Sequence, residues 1–356
     1  MHTLDNLARL GQLDKEKMLE SIALLPRQIE QAWAEVKKVK LPANYKKINK
    51  IVINGMGGSG LGTHLIRSIY FKDLKLPLGN IHSYDLPGIV DKNTLYIISS
   101  YSGSTEEPIA TFKEAKRRGA KVLGITAGGE LAELIKAGQL PGYIFDPRYN
   151  LCGQPRIGLG YSIAGLLGLL TKCGALKVSD QEIKNVVVSL DQLNTDFSPR
   201  TMLQKNEAKQ LADSMYGQIP VIVASEFLSG NAHVLANQLN ENAKNFSAYF
   251  LISELNHHLL EGLARPDSNH KNLNFLFLES RLYGARNQKR FAITQEIVKQ
   301  NKIQYSSYSV PGASALEQSL SAILFGSYAS FYLAVLNGID PSSIPYVDYL
   351  KKQLAS

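Results

Sequence analysis

Two short stretches hold the side chains best suited to chemistry. From Thr94 to Glu107 the chain reads TLYIISSYSGSTEE, an apolar run followed by Ser100, Ser102, Ser104 and Thr105 and then by Glu106 and Glu107. An apolar run of this length predicts a buried strand, the hydroxyls fall in the loop at its carboxyl end, and the glutamates suit the first turn of a helix. Small hydroxyl donors and backbone N–H groups at a helix start form a cradle for a phosphate. Upstream, Gly55-Met56-Gly57-Gly58-Ser59-Gly60 follows another strand-like run and opens another helix. That spacing satisfies the G-x-G-x-x-G pattern of dinucleotide sites, and Asp85 stands past the next strand where a ribose-binding acid could sit. Ser59 at the helix start and the second hydroxyl loop favour a phosphorylated sugar held between two neighbouring strand ends. The alternatives are a serine-rich turn that caps a helix, and a glycine turn that permits close packing.

Parallel strands alternating with helices are the elements that position such loops. Runs at Lys50–Asn54, Asn80–Tyr84, Thr94–Ser100, Lys121–Thr126 and Tyr143–Asp146 read as strands, and helical patterns such as 107–118 and 130–137 separate several of them. Helical spacing returns up to about residue 216, with further strands at Ile219–Ala224, Phe246–Ile252 and Asn274–Leu278 and long helices near 315–336 and 344–354. The alternation predicts an α/β fold of doubly wound, mainly parallel sheets with ligands at the carboxyl ends of the strands. Met18, Ile22, Leu25, Ile29 and Trp33 recur at helical spacing in an amino-terminal segment that shows no chemistry of its own.

The 356 residues, 44% hydrophobic, supply enough material for two or three packed domains. A net charge of +8 favours anionic small molecules. The basic residues are scattered apart from short clusters such as Lys116-Arg117-Arg118, so we expect no nucleic-acid partner. Only Cys152 and Cys173 are present, which argues against a disulfide framework and suits a reducing cytoplasm. No Cys and His spacing resembles a zinc site, and we expect no metal and no cofactor. The polar amino terminus has no apolar core of the kind a signal peptide needs, and Leu159–Leu170 is too short to cross a bilayer.

GMGGSG, SYSGST with the glutamates after it, and KEAKRRGAKVLGITAGGELAEL resemble a sugar isomerase (SIS) domain. QPR at 154–156, NENAK at 240–244, ELNH at 254–257 and D-x-L-K at 348–351 narrow the resemblance to the bifunctional phosphoglucose/phosphomannose isomerase family. From about residue 50 to the end, the motifs occur in order. The resemblance implies two SIS domains, at 49–155 and 201–356, joined by a helical connection at 156–200, with helices at 1–48 packed on the first domain. It implies isomerisation of glucose 6-phosphate and mannose 6-phosphate to fructose 6-phosphate through a cis-enediol, without metal or nucleotide, in a homodimer whose sites lie at the interface. Ser59, Ser100, Ser102 and Thr105 would hold the phosphate, beside the Gly57–Gly58 loop. Glu241 would move the proton between C2 and C1, Arg156 would stabilise the enediolate, and His257 of the partner subunit and Lys351 would assist ring opening.

Those roles agree with the chemistry. An aldose–ketose isomerase needs a carboxylate beside the carbon made acidic by the carbonyl, a cation for the developing charge, and a group titrating near neutrality for the ring oxygen. The chain departs from the family pattern in two places: Ser104 stands where asparagine is common, and His258-Leu259 stands where Asn-Glu usually follows the histidine. Other readings are a different SIS isomerase, a sugar-phosphate-binding regulator without turnover, and an NAD-dependent dehydrogenase built on GMGGSG.

Overall fold

A computed structural model describes residues 2–354. Helices α1 to α3 (Leu7–Leu13, Met18–Ala23, Leu25–Val36) precede β1 (Lys50–Asn54) and α4 (Gly58–Ile69). Then come β2 (Leu78–Ile81), β3 (Thr94–Ser99), α5 (Glu106–Ala110), α6 (Phe112–Arg117), β4 (Lys121–Thr126), α7 (Gly129–Lys136) and β5 (Gly142–Ile144). These strands form one parallel sheet in the order β2-β1-β3-β4-β5. Every residue of β3 is buried, as expected of an inner parallel strand covered on both faces.

The apolar helix α8 (Leu159–Lys172), the amphipathic helix α9 (Asp180–Phe197) and then α10 (Glu207–Met215) lead to β6 (Ile219–Ser225) and α11 (Ser229–Asn242). The second sheet adds β7 (Ala248–Ile252), the short helices α12 and α13 (Leu255–His258, Asn269–Asn272), β8 (Leu273–Glu279), α14 (Ala285–Gln300) and β9 (Gln304–Ser309). It is parallel in the order β7-β6-β8-β9. Helices α15 (Ala315–Leu336) and α16 (Pro345–Leu354) close the chain. Helix α15 is long and apolar enough to span a membrane, yet 94% of its apolar window is buried inside the protein, where it packs on α9, α10 and α11.

The expected α/β architecture of two parallel sheets is present, with local corrections. β9 was not anticipated: its sequence, QYSSYS, has no apolar run, because it is an edge strand with only Tyr308 buried. The helix expected over 107–118 divides at Thr111, whose hydroxyl donates to the Pro108 carbonyl at 2.7 Å and pairs with the Tyr96 hydroxyl at 2.6 Å. β2 begins and ends earlier than the apolar pattern suggested, and β5 has only three residues.

The amino-terminal segment touches both halves of the chain. Helix α3 packs on α8 and α9, while Asp5 accepts a 2.9 Å bond from Lys209 Nζ in α10. The side chains of Lys209 and Asp5 are 0% and 2% exposed, and Lys209 also donates to the Pro199 carbonyl. Burial alone would raise the Asp5 carboxyl, but bonds from Lys209 and the Leu203 amide hold it below its ordinary value. This ion pair therefore supports the fold above the unfolded-state carboxylate range, and its contribution disappears as pH falls through the depressed native value. Replacing Lys209 with Met strands a buried carboxylate and should cost about 3 kcal/mol by urea denaturation near neutral pH. Asp5→Asn should flatten the acid limb of stability against pH.

Candidate active site

The first sheet changes direction between β1 and β3, and the two loops singled out by their composition leave the carboxyl ends of those strands. A doubly wound sheet opens a ligand crevice at such a point. Gly57 has φ 50° and ψ −130°, a conformation that side-chain-bearing residues rarely adopt, and it turns the chain directly into α4. Ser59 joins the loops: its Oγ accepts the Tyr101 N–H at 2.8 Å, and its carbonyl accepts the Ser99 hydroxyl at 2.9 Å. In the second loop Ser100 Oγ pairs with Thr105 Oγ1 at 2.8 Å and accepts the Gly103 N–H at 3.0 Å. Ser59 and Ser100 are buried at 8% and 1% exposure, whereas Ser102 is exposed and Thr105 half-buried. Ser59 and Ser100 thus shape the cradle, and Ser102 offers the most open hydroxyl.

Arg156 lies directly behind the first loop. A Cβ at Gly58 would stand 2.9 Å from the Arg156 nitrogen and from the Pro155 carbonyl carbon, so glycine lets α4 start against this backbone. The guanidinium, 2% exposed, donates to Gln154 Oε1 at 2.8 Å, to Asn242 Oδ1 at 2.6 Å and to the Pro341 and Ser342 carbonyls, both at 3.0 Å. Its remaining partner is Glu241 Oε2 at 3.6 Å. The donors are satisfied mostly by neutral acceptors, so the positive charge is not cancelled by a tight carboxylate clamp.

Glu241 sits on the last turn of α11. Burial raises its carboxyl above the ordinary value, against the opposing pull of Arg156, Lys244 and Lys351. Burial correspondingly lowers Arg156, while Glu241, Cys152 and Asp348 act in the other direction. Lys351 lies on exposed α16, near enough for its charge to act on Glu241, and Asp348 one turn earlier acts on Arg156. The structure therefore brings Gly57, Gly58, Ser59, Ser100, Ser102 and Thr105 into one pair of loops, with Arg156, Glu241 and Lys351 in an adjoining cluster. His257 is not among them. It is exposed on α12, beyond the edge strand β7, and its imidazole makes no hydrogen bond or ion pair among the described residues.

Sequence reasoning missed Lys244. Its φ is 49°, and its Nζ donates to the carbonyls of Asn242 at 3.3 Å, Asp340 at 2.8 Å and Pro341 at 3.1 Å. It caps the Asn242 carbonyl at the end of α11 and shares the Pro341 oxygen with Arg156. Burial and the Arg156 charge draw its ammonium down to about 8, although Asp340 and Glu241 oppose the change. Its place in NENAK was the available signal; the 340–342 loop that it binds lies about a hundred residues away and has no distinguishing composition.

Residues 204–354 match the family described as "Bacterial phospho-glucose isomerase C-terminal SIS domain". With its two parallel sheets and hydroxyl loops at a switch point, the chain falls in the SIS class of sugar-phosphate proteins. It is 36% identical over 352 residues to a bifunctional phosphoglucose/phosphomannose isomerase of Caldicellulosiruptor bescii, covering 95% of this chain and 99% of that relative. The corresponding protein of Thermoplasma volcanium is 34% identical, with coverage of 89% and 96%. The chain belongs to the bifunctional phosphoglucose/phosphomannose isomerase family. Among solved structures, a tagatose-6-phosphate ketose/aldose isomerase from Escherichia coli has the same fold, with a TM-score of 0.70 at 13% identity over 92% of this chain and 95% of that one.

Replacing Lys244 with Met removes a cation that lowers the Glu241 carboxyl, so the Glu241 titration, followed by carboxyl carbon NMR, should move to higher pH. An unchanged titration would show that the Lys244 charge does not reach it.

Proposed function

We propose that the chain interconverts glucose 6-phosphate and mannose 6-phosphate with fructose 6-phosphate by proton transfer through a cis-enediol, and that Glu241 is the base. One observation carries the assignment: a carboxylate with a raised pKa stands 3.6 Å from a buried guanidinium whose backbone abuts the phosphate-type loop at the β1/β3 switch point. Ser102 and Thr105 would bind the phosphate directly, with Ser59 and Ser100 fixing the two loops. Anchoring that end sets carbons 1 and 2 against the base. Glu241 would take the proton from C2 and return it to C1, and Arg156 would meet the oxygen charge that develops in between. A raised carboxyl suits this task, because a base closer to neutrality can also act as the acid that gives the proton back.

Ring opening needs a second proton donor, for which the cluster has Lys351 and Lys244 but no histidine. We assign it to His257 of the partner subunit, in a homodimer with a site at each interface. The exposure of His257 supports this reading, as do the exposed apolar side chains of α16: Tyr346, Tyr349, Leu350 and Leu354 are 88%, 65%, 56% and 62% exposed. Two buried, unpaired cysteines suit a cytoplasmic location. No step in this scheme calls for a metal or a cofactor. The other SIS reading, an isomerase or epimerase of a different phosphosugar, draws on a D-glucosamine-6-phosphate 4-epimerase of Sulfolobus acidocaldarius that is 28% identical over 63% of this chain. A panel of phosphosugars separates the two.

In a coupled assay with fructose 6-phosphate or mannose 6-phosphate, Glu241→Gln should lower kcat by about 10²–10⁴-fold and abolish C2 proton exchange with solvent, while retaining affinity for a phosphorylated sugar acid. Ser102→Ala should act mainly on KM. The wild-type rate should fall as pH drops through the raised Glu241 value, since only the carboxylate accepts the proton. If sites are shared between subunits, mixing Glu241→Gln with His257→Ala protein should restore roughly a quarter of wild-type sites, because each heterodimer regains one intact site. Turnover by Glu241→Gln at the wild-type rate would exclude the assignment.

A further inference from the structure

The second sheet has a switch point of its own, between β6 and β8, and a cavity of about 800 Å³ opens there. It lies within the range of small-molecule sites, which favour the carboxyl ends of strands in open sheets. Helix α11 begins at this cavity with Ser229-Gly230, as α4 carries Ser59-Gly60 at the first site. Gly230 lies so close to α4 that a Cβ would meet the His64 carbonyl at 2.8 Å, and its N–H donates to Ser68 Oγ at 3.3 Å. The two helices therefore run past each other, each starting at one crevice and ending near the other.

The chemistry of this cavity differs from that of the first crevice. Two backbone amides on its wall are already engaged: the Gly230 N–H donates to Ser68 Oγ, and the Gly284 N–H donates to Glu226 Oε1 at 2.8 Å, which also accepts from the Asn287 side chain at 2.8 Å. Elsewhere on the wall, the side chains of Arg67 and Lys72 make no hydrogen bond or ion pair among the described residues. Aromatic surface is abundant: Tyr249 stacks on His233 with ring centroids 4.8 Å apart and planes at 20°, and Phe71 is 78% exposed at the rim. His233 Nδ1 is buried without a partner. Burial holds His64 down to about 4 and lowers His233 too, so burial disfavours charge on either ring and both add aromatic surface to the wall.

A free hexose phosphate would leave its hydroxyls facing largely apolar walls. A ligand with a planar heterocycle and one phosphate matches them better, and Asp73, also on the wall, is a ready acceptor for ribose hydroxyls. We propose that this cavity binds a nucleoside monophosphate, its base against the Tyr249–His233 pair and its phosphate on Arg67 and Lys72. The site is separate from the proposed catalytic one and shares no lining residue with it.

Isothermal titration of the full-length protein with AMP tests this. One AMP should bind per chain, with or without saturating fructose 6-phosphate, and Ser102→Ala should leave AMP binding unchanged. Arg67→Ala and Tyr249→Ala should each weaken AMP by about tenfold, the scale of one lost phosphate contact or one lost stacking partner. Both side chains reach the surface, and melting curves would confirm that the variants fold; Lys72→Ala serves as a second phosphate-side variant. The proposal fails if AMP does not bind at millimolar concentration, if fructose 6-phosphate displaces it competitively, or if all three variants bind it as wild type does. It also fails if Arg67→Ala and Phe71→Asp dissociate an oligomer in sedimentation while AMP shows no binding, because a second copy of the chain would then be what fills the cavity.

Discussion

A guanidinium removed from water is the constraint on which the rest of this structure depends. Desolvating a cation is expensive unless its donors find acceptors, and Arg156 makes four hydrogen bonds to groups from three parts of the chain: its own QPR loop, the end of α11, and the 340–342 loop. The arginine can be buried only if the second half of the molecule docks against the first. Docking in turn places Glu241 beside it. The same contact that joins the two halves therefore assembles the proposed base and the proposed electrophile, and neither half holds both groups by itself.

The helices α4 and α11 make this possible. Each leaves the carboxyl end of the first-numbered strand of its sheet and packs on the other. The start of α4 and the end of α11 consequently meet at Arg156, while the start of α11 and the later turns of α4 meet at the second cavity. A polar chain also links the two ends. His82 Nδ1 donates to the Gly55 carbonyl at 2.6 Å, and the Asn80 carboxamide reaches His82 Nε2 at 3.2 Å and His64 Nε2 at 2.9 Å. Both histidines then carry the proton on Nδ1, and the Asn80 amide satisfies both Nε2 atoms at once. The glycine loop and the cavity wall are thus parts of one hydrogen-bonded unit.

What could be read from the sequence follows from how local each determinant is. Buried parallel strands such as β3 announce themselves as apolar runs, and phosphate-type loops as hydroxyls and glycines in a few consecutive positions. β9 could not be read this way, because an edge strand needs few apolar residues and QYSSYS has the composition of a loop. The break at Thr111 was hidden because it comes from one side-chain hydroxyl competing for a backbone carbonyl. In the site, Glu241 and Arg156 were legible only as motif members, since what makes them a pair is a docking of residues far apart in sequence. Lys244 escaped notice for the same reason: its partners are carbonyl groups, which every residue has.

The electrostatics of the cluster explain why so many cations gather around one acid. Burial raises the Glu241 carboxyl, and a buried carboxylate among apolar neighbours would be protonated at neutral pH and useless as a base. Arg156, Lys244 and Lys351 pull in the opposite direction, each at a different strength and from a different element. Held on neutral carbonyl and amide oxygens, Arg156 keeps its charge available to an oxyanion while still restraining the acid from 3.6 Å. Burial supplies the basicity and the surrounding cations limit it, so the carboxylate's proton affinity is set by a balance between elements that the fold alone brings together.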